Sequence, residues 1–125
     1  MSQLRIAIKE DRKTFRPGDT IVGAVGWKRD TAPKHAELRL FWFTRGKGTQ
    51  DVSIVETEKF DVSQAEEARP FRFTVPAAPY SFSGKLISLV WALELILEPG
   101  SETARIELTI SPTEQEIILS EVAKK

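Results

Sequence analysis

Between Ser81 and Glu98 the chain reads S-F-S-G-K-L-I-S-L-V-W-A-L-E-L-I-L-E. The odd positions Ile87, Leu89, Trp91, Leu93, Leu95 and Leu97 are apolar without exception. The even positions mix Ser88, Glu94 and Glu98 with Leu86, Val90, Ala92 and Ile96. A period of two is the mark of an extended strand, whose side chains alternate between faces. A buried helix is the competing reading, because Leu and Ala are strong helix formers. The unbroken odd-numbered face and the strand-like neighbours on either side favour a long central strand. The apolar run is too short for a membrane span and carries Glu94 and Glu98.

The rest of the chain supplies shorter patterns of the same kind. Leu4, Ile6 and Ile8 alternate with Arg5, Ala7 and Lys9, a strand with one buried and one wetter face. Glu10-Asp11-Arg12-Lys13 is too charged for a core and predicts a turn. In Phe15-Arg16-Pro17-Gly18-Asp19, Pro17 presets φ at the first corner and Gly18 supplies the positive φ of a type II turn. A second strand follows, about Thr20 to Lys28, with Ile21, Gly23, Val25 and Trp27 on one face. Gly23 and Gly26 are expected to make room for bulky neighbours. Glu37 to Arg45 places Leu38, Leu40 and Trp42 on one side and Phe41 and Phe43 on the other, so this strand is expected to be covered on both faces at its centre. Gly46-Lys47-Gly48 turns the chain. Asp51 to Asp61 alternates imperfectly, with a slip near Val55-Glu56 that a β-bulge explains.

Ser63 to Ala68 is polar and reads as a mobile segment or a helical turn. Phe71, Phe73 and Val75 then alternate with Pro70, Arg72 and Thr74. Pro76 to Phe82 is a proline-stiffened crossing into Gly84 and the long strand. Glu98-Pro99-Gly100-Ser101-Glu102 closes a hairpin whose return strand turns Ala104, Ile106, Leu108 and Ile110 inward. About seven antiparallel strands with Gly and Pro turns, and no internal repeat, predict an all-β sandwich over residues 1–112. Residues 113–125 form a tail of different character. Ser111-Pro112-Thr113-Glu114 has the layout of a helix capping box. A helix would gather Gln115, Ile118, Leu119 and Val122 on one face, although Ile117-Ile118-Leu119 also suits a short strand.

Composition narrows the function. A chain of 125 residues fits one domain with a core of its own. Eighteen Lys and Arg balance eighteen Asp and Glu, which argues against a protein that tracks nucleic-acid phosphates. With no cysteine there is no disulfide, thiolate nucleophile or Cys-based zinc site. The start Met1-Ser2-Gln3-Leu4-Arg5 lacks the layout of a signal peptide, and a cytoplasmic protein is the expectation.

Three segments together resemble the arrestin-like domain family. Phe15-Arg16-Pro17-Gly18-Asp19-Thr20-Ile21-Val22-Gly23 resembles the family's aromatic-x-Pro-Gly-acidic opening. Phe71-Arg72-Phe73-Thr74-Val75-Pro76 resembles its Phe-x-Phe-x-apolar-Pro strand end. Pro79-Tyr80-Ser81-Phe82-Ser83-Gly84, followed by the long strand with Trp91, resembles its Pro-x-Ser-aromatic-x-Gly segment. Order and spacing fit from about Leu4 to Pro112, and bacterial arrestin-like proteins related to sporulation-control proteins are the nearest type. The resemblance implies an immunoglobulin-like sandwich that acts as a scaffold for protein contacts and has no catalytic residues. It marks Pro17, Gly18, Phe82, Gly84 and Trp91 as structural positions. Typical members carry two such sandwiches, whereas this chain has room for one. No paired lysines stand on the first strand, so phosphate sensing is not implied.

Catalytic chemistry finds little support. His35 is the sole histidine and lies beside Lys34 at a strand start. Ser81, Ser83 and Ser88 lack a nucleophile elbow. The carboxylate pairs Glu56/Glu58 and Glu66/Glu67 are too sparse for calcium. Lys47 between Gly46 and Gly48 does not make a phosphate loop. No enzyme activity and no cofactor are expected. Trp27, Trp42 and Trp91 either plug the core or form a sugar-stacking platform, which leaves a carbohydrate- or small-ligand-binding sandwich as the alternative. Partners are expected to be proteins, including a second copy bound through a strand edge or the tail, where Ile117, Ile118, Leu119 and Val122 are the candidate docking residues.

Overall fold

A computed structural model of the chain describes residues 2–46, 50–84, 86–113 and, by backbone only, 117–118. The described residues form ten strands. Seven are long: β1 (Gln3–Ile8), β3 (Thr20–Lys28), β4 (His35–Gly46), β5 (Val52–Phe60), β6 (Glu66–Thr74), β8 (Ile87–Glu98) and β9 (Glu102–Ile110). These are the seven that hydrophobic alternation predicts. Three two-residue strands join them: β2 (Thr14–Phe15), β7 (Phe82–Ser83) and β10 (Ile117–Ile118).

The smaller sheet has the order β1-β3-β6, and the larger runs β5-β4-β8, with β9 and β7 sharing the far edge of β8. β8 pairs with β4 along its whole length, from Ile87↔Gly46 to Glu98↔His35. Its other edge takes β9 from Trp91 to Leu97 and β7 at Ser88 and Leu89. Past Leu108, β9 leaves β8 and pairs with β2 in parallel. Ser81 fills the fork so formed. Its N–H donates to the Ile110 carbonyl and its Oγ accepts from the Ile110 N–H, at 2.7 and 2.9 Å. The buried hydroxyl is tolerated there because it accepts the Ile110 N–H.

The odd-numbered face of β8 is the centre of the core. Leu89, Trp91, Leu93, Leu95 and Leu97 are buried, opposite Ile6, Ile21, Val25, Phe71 and Phe73 of the smaller sheet. Trp91 donates its indole N–H to the Pro79 carbonyl at 2.9 Å, so the largest core side chain also satisfies its only polar atom. Ala78-Pro79 and Glu98-Pro99 are cis peptides.

Turn chemistry agrees with the sequence. Gly18 has φ +89°, and the Asp19 N–H donates to the Arg16 carbonyl at 3.0 Å, closing the turn through Pro17. Gly100 follows Pro99 with φ +100° at the hairpin corner. Phe71 lies against Gly23, where an added Cβ would come within 2.8 Å of the ring and 2.1 Å of the Ala7 carbonyl oxygen. Gly26 is different: a Cβ there would meet nothing nearer than 3.6 Å, so it does not accommodate a bulky neighbour.

Other expectations change as well. The polar segment before Phe71 is not a helical turn: from Glu66 onward it is β6, paired residue for residue with β3 from Lys28 back to Thr20. Pairing with a neighbouring strand overrode its weak local preference. In the tail, Ile117–Ile118 takes the strand rather than the helix of the two readings, adding to β7 in parallel at Phe82 and Ser83. A vacant strand edge offered the backbone partners that an isolated short helix lacks. Leu119 and Val122 lie outside the described residues, as do Lys47 and Gly48. Finally, two of the short pairings, β2–β9 and β7–β10, are parallel in an otherwise antiparallel structure.

Candidate functional site

Most residues singled out in the sequence lie in the frame. Trp27 and Trp91 are buried, and Trp42 packs half-buried against the core. The tryptophans therefore build no coplanar surface platform. The Trp27 ring tilts against Phe60, with centroids 6.4 Å apart, and its N–H donates to the Gln64 carbonyl. Phe82 is half-buried against the core, with Gly84 just beyond it at the entry to β8. Pro17 and Gly18 form the corner described above, which is tied to the end of β6 by Gly18 N–H to Val75 carbonyl at 2.9 Å. The Asp19 carboxylate accepts the Arg16 N–H at 2.8 Å and meets the Arg12 guanidinium at 2.6 Å. That backbone donor, helped by Arg12, holds the Asp19 carboxyl below its ordinary range against the opposing effect of burial. Glu67 is lowered for the same first reason, since it accepts the Ser63 and Gln64 N–H groups.

His35 is exposed at the start of β4, and among the described residues no group of three His, Asp or Glu is placed to hold a metal ion. Among the described residues no helix is long and apolar enough to cross a membrane.

Two features that the sequence left unassigned stand out on the surface. The first is the outer face of the larger sheet. Strand register aligns Val52, Phe43 and Val90 in one row and Ile54, Phe41 and Ala92 in the next. Phe41 and Phe43 stack with centroids 5.9 Å apart. Arg105 from β9 lies over both rings, 5.1 and 5.2 Å from their centroids, and Arg45 lies 5.3 Å from Phe43. The strand is thus covered on both faces, as predicted, but on this side by arginine side chains and not by a third layer. Val52 and Ile54 beside the rings are 65% and 50% exposed. A shallow depression of about 290 Å³ lies between them and Arg105, with Arg39, Gln50 and Glu94 around it. The signal for this face was the Phe41/Phe43 alternation. What it lacked was the identity of the covering groups, which come from distant strands.

The second feature is the set of strand edges. β5 has its free edge interrupted by the bulge opposite Leu40/Phe41. On it, Glu56 and Glu58 are exposed at the positions that pair with core residues Leu40 and Leu38. β6 carries Pro70, which has no N–H to offer. Bulges, inward charges and proline are the usual means of blunting an edge. β1 has none of these, and among the described residues its only ladder partner is β3.

No known family profile and no curated protein sequence matches the chain. Among solved structures, the sporulation control protein Spo0M from Bacillus subtilis matches with a TM-score of 0.65 and 17% identity. The match covers 88% of this chain and 49% of that one, so the chain spans about half the length of Spo0M. Sheet order, core and this structural likeness agree: the chain has the arrestin-type β-sandwich fold of Spo0M.

Proposed function

We propose that the chain is a non-enzymatic, arrestin-like protein-binding module, a scaffold that takes its partner as an added strand. The observation that carries this reading is the free edge of β1. Six residues, Gln3 to Ile8, run in unbroken register with β3 and pair with no second strand among the described residues, although β9 of the other sheet passes close by. An extended peptide laid along such an edge gains main-chain hydrogen bonds, while adjoining concavities select its side chains. One adjoins here. The outside of the smaller sheet holds a trough of about 960 Å³ where Ala7, Ala24, Gly26 and Ala68 leave the sheet nearly bare.

The addition of Ile117–Ile118 to β7 supports a second docking role, for Ile117, Ile118, Leu119 and Val122, on their own chain or by exchange with another copy. The reading takes residues 1–112 as the module, 113–125 as its docking tail and the cytoplasm as its setting.

Amide hydrogen exchange on the chain with a captured protein partner tests the reading. Alternate amides of β1 should gain protection in the complex. Protection confined to the larger sheet or to loops would sink strand addition at β1, and turnover of any substrate by the purified chain would sink the non-enzymatic assignment.

A further inference from the structure

We infer that the outer face of the larger sheet is a self-association surface, on which two copies of this chain pack about a two-fold axis. The inference uses the opposite sheet from the β1 edge and does not depend on strand addition there.

An apolar patch lies in register across the face, its two rings capped by Arg105 and Arg45 and its β5 end open to solvent. Phe41 and Phe43 of β4 are flanked in register by Ile54 and Val52 of β5 and by Ala92 and Val90 of β8. The two β5 residues are the most exposed of these, at 50% and 65%. Large exposed aliphatics on an edge strand, next to stacked rings, mark a contact surface more than a solvated one.

The surrounding charges identify the occupant. Arg39 pairs with Glu37, Arg105 with Glu94, and Arg45 with Glu107. Three guanidiniums and three carboxylates thus alternate around one apolar centre. A partner of strong single-sign charge gains as much repulsion as attraction here. A two-fold copy of the same face can set arginine against glutamate on both sides, because in an isologous interface each pairing occurs twice. The composition agrees: aromatic side chains and arginine are enriched in interfaces, whereas lysine is depleted. Among the residues that register places on this face, Lys59 is the one lysine.

The size is adequate. Four strands about 4.8 Å apart and about nine residues long, at roughly 3.3 Å per residue, make a face of about 20 by 30 Å. With side-chain relief that approaches the ~800 Å² per partner of a standard interface. A dimer so formed leaves both β1 edges exposed, so it would present two strand-accepting edges at once.

Sedimentation equilibrium on the full chain, over a wide concentration range, reads the result. The parent should show twice the 14.1 kDa monomer mass. Ile54→Glu should weaken dimerisation at least ~10-fold while the thermal melt, taken at a concentration where both chains are monomeric, stays that of the parent, since the side chain is half exposed. Val52→Glu, at a still more exposed position, repeats the test if Ile54→Glu proves unstable. Arg45→Glu should weaken the dimer, and Arg45→Glu combined with Glu107→Arg should restore it. A parent that is monomeric throughout overturns the inference, as does a dimer that both glutamate variants leave as tight as before. A dimer that loosens with Arg45→Glu but is not rescued by the double exchange overturns the proposed charge matching.

Discussion

The two faces of the β4–β8 ladder make an instructive pair. On the inner face the register sets Leu38 against Leu95, Leu40 against Leu93 and Trp42 against Trp91, and the smaller sheet closes over them. On the outer face the same two strands set Phe41 against Ala92, Phe43 against Val90 and Arg39 against Glu94. Phe41 is only 4% exposed, much like a core residue, yet what covers it is the guanidinium of Arg105. A packed sheet cannot follow the loss of a side chain, whereas a long arginine can swing or collapse onto new surface. Equal burial on the two faces therefore does not mean equal stability.

Trp91→Ala attacks the inner face most directly. It empties the centre of the core and leaves the Pro79 carbonyl without its donor, so a loss of about 3–5 kcal/mol is expected. Chemical denaturation measures it, and an unchanged midpoint would refute the assignment of Trp91 to the core. Phe41→Ala should cost less, about 1–3 kcal/mol, because arginine stems can settle into part of the vacated space. If it costs as much as Trp91→Ala, the arginine cover is as rigid as a protein layer and the contrast between the faces fails.

The turn that closes one end of the inner face offers a pH test. Asp19 has a lowered carboxyl pKa in the folded chain, chiefly because it accepts the Arg16 N–H. A depressed folded value stabilises the fold fully above the ordinary carboxylate range and is lost as pH falls through the folded value. Stability should therefore decline on the acid side. Asp19→Asn should be the less stable chain at neutral pH and show a shallower acid decline, as thermal melts across pH will report. Parallel acid limbs in the two chains would show that Asp19 is not responsible. The smallest effect belongs to the exposed apolar residues: melted at a concentration too low for self-association, Ile54→Ser should change stability by no more than about 0.5 kcal/mol. A larger loss would place Ile54 in the folding core of the monomer.

Much of this architecture is legible in the sequence, for identifiable reasons. The long strands announce themselves because a half-buried strand must alternate, and β8 does so over its odd-numbered face. The Pro17-Gly18 corner is legible because a positive φ of +89° at position 18 suits glycine. Even the bulge left its trace in the slipped alternation near Val55 and Glu56, opposite Leu40/Phe41. The start of β6 was illegible because Glu66 to Pro70 is polar and exposed at every second position, with nothing local to distinguish strand from loop. The tail was ambiguous because Ser111-Pro112 carries a helix-start pattern while Ile117-Ile118-Leu119 suits a strand, and nothing local records that β7 has a vacant edge.

Which residues face inward, where the chain turns and that the product is a sandwich can all be read from the linear order of residues. Each of these follows from local rules: side-chain period, backbone freedom at glycine, restricted φ at proline. What lies above each face, and which edges stay unpaired, emerges only from how the strands assemble. Arg105 reaches Phe41 because β9 and β4 both flank β8, a relation between residues 64 positions apart. The β1 edge is open because β3 pairs with β6 on its other side and the chain supplies no further strand to β1 among the described residues. Alternation names two faces for every strand but does not say which neighbour will cover them. That choice depends on non-local pairing, in which strands compete for shared edges and the core closes over whichever arrangement buries most apolar surface.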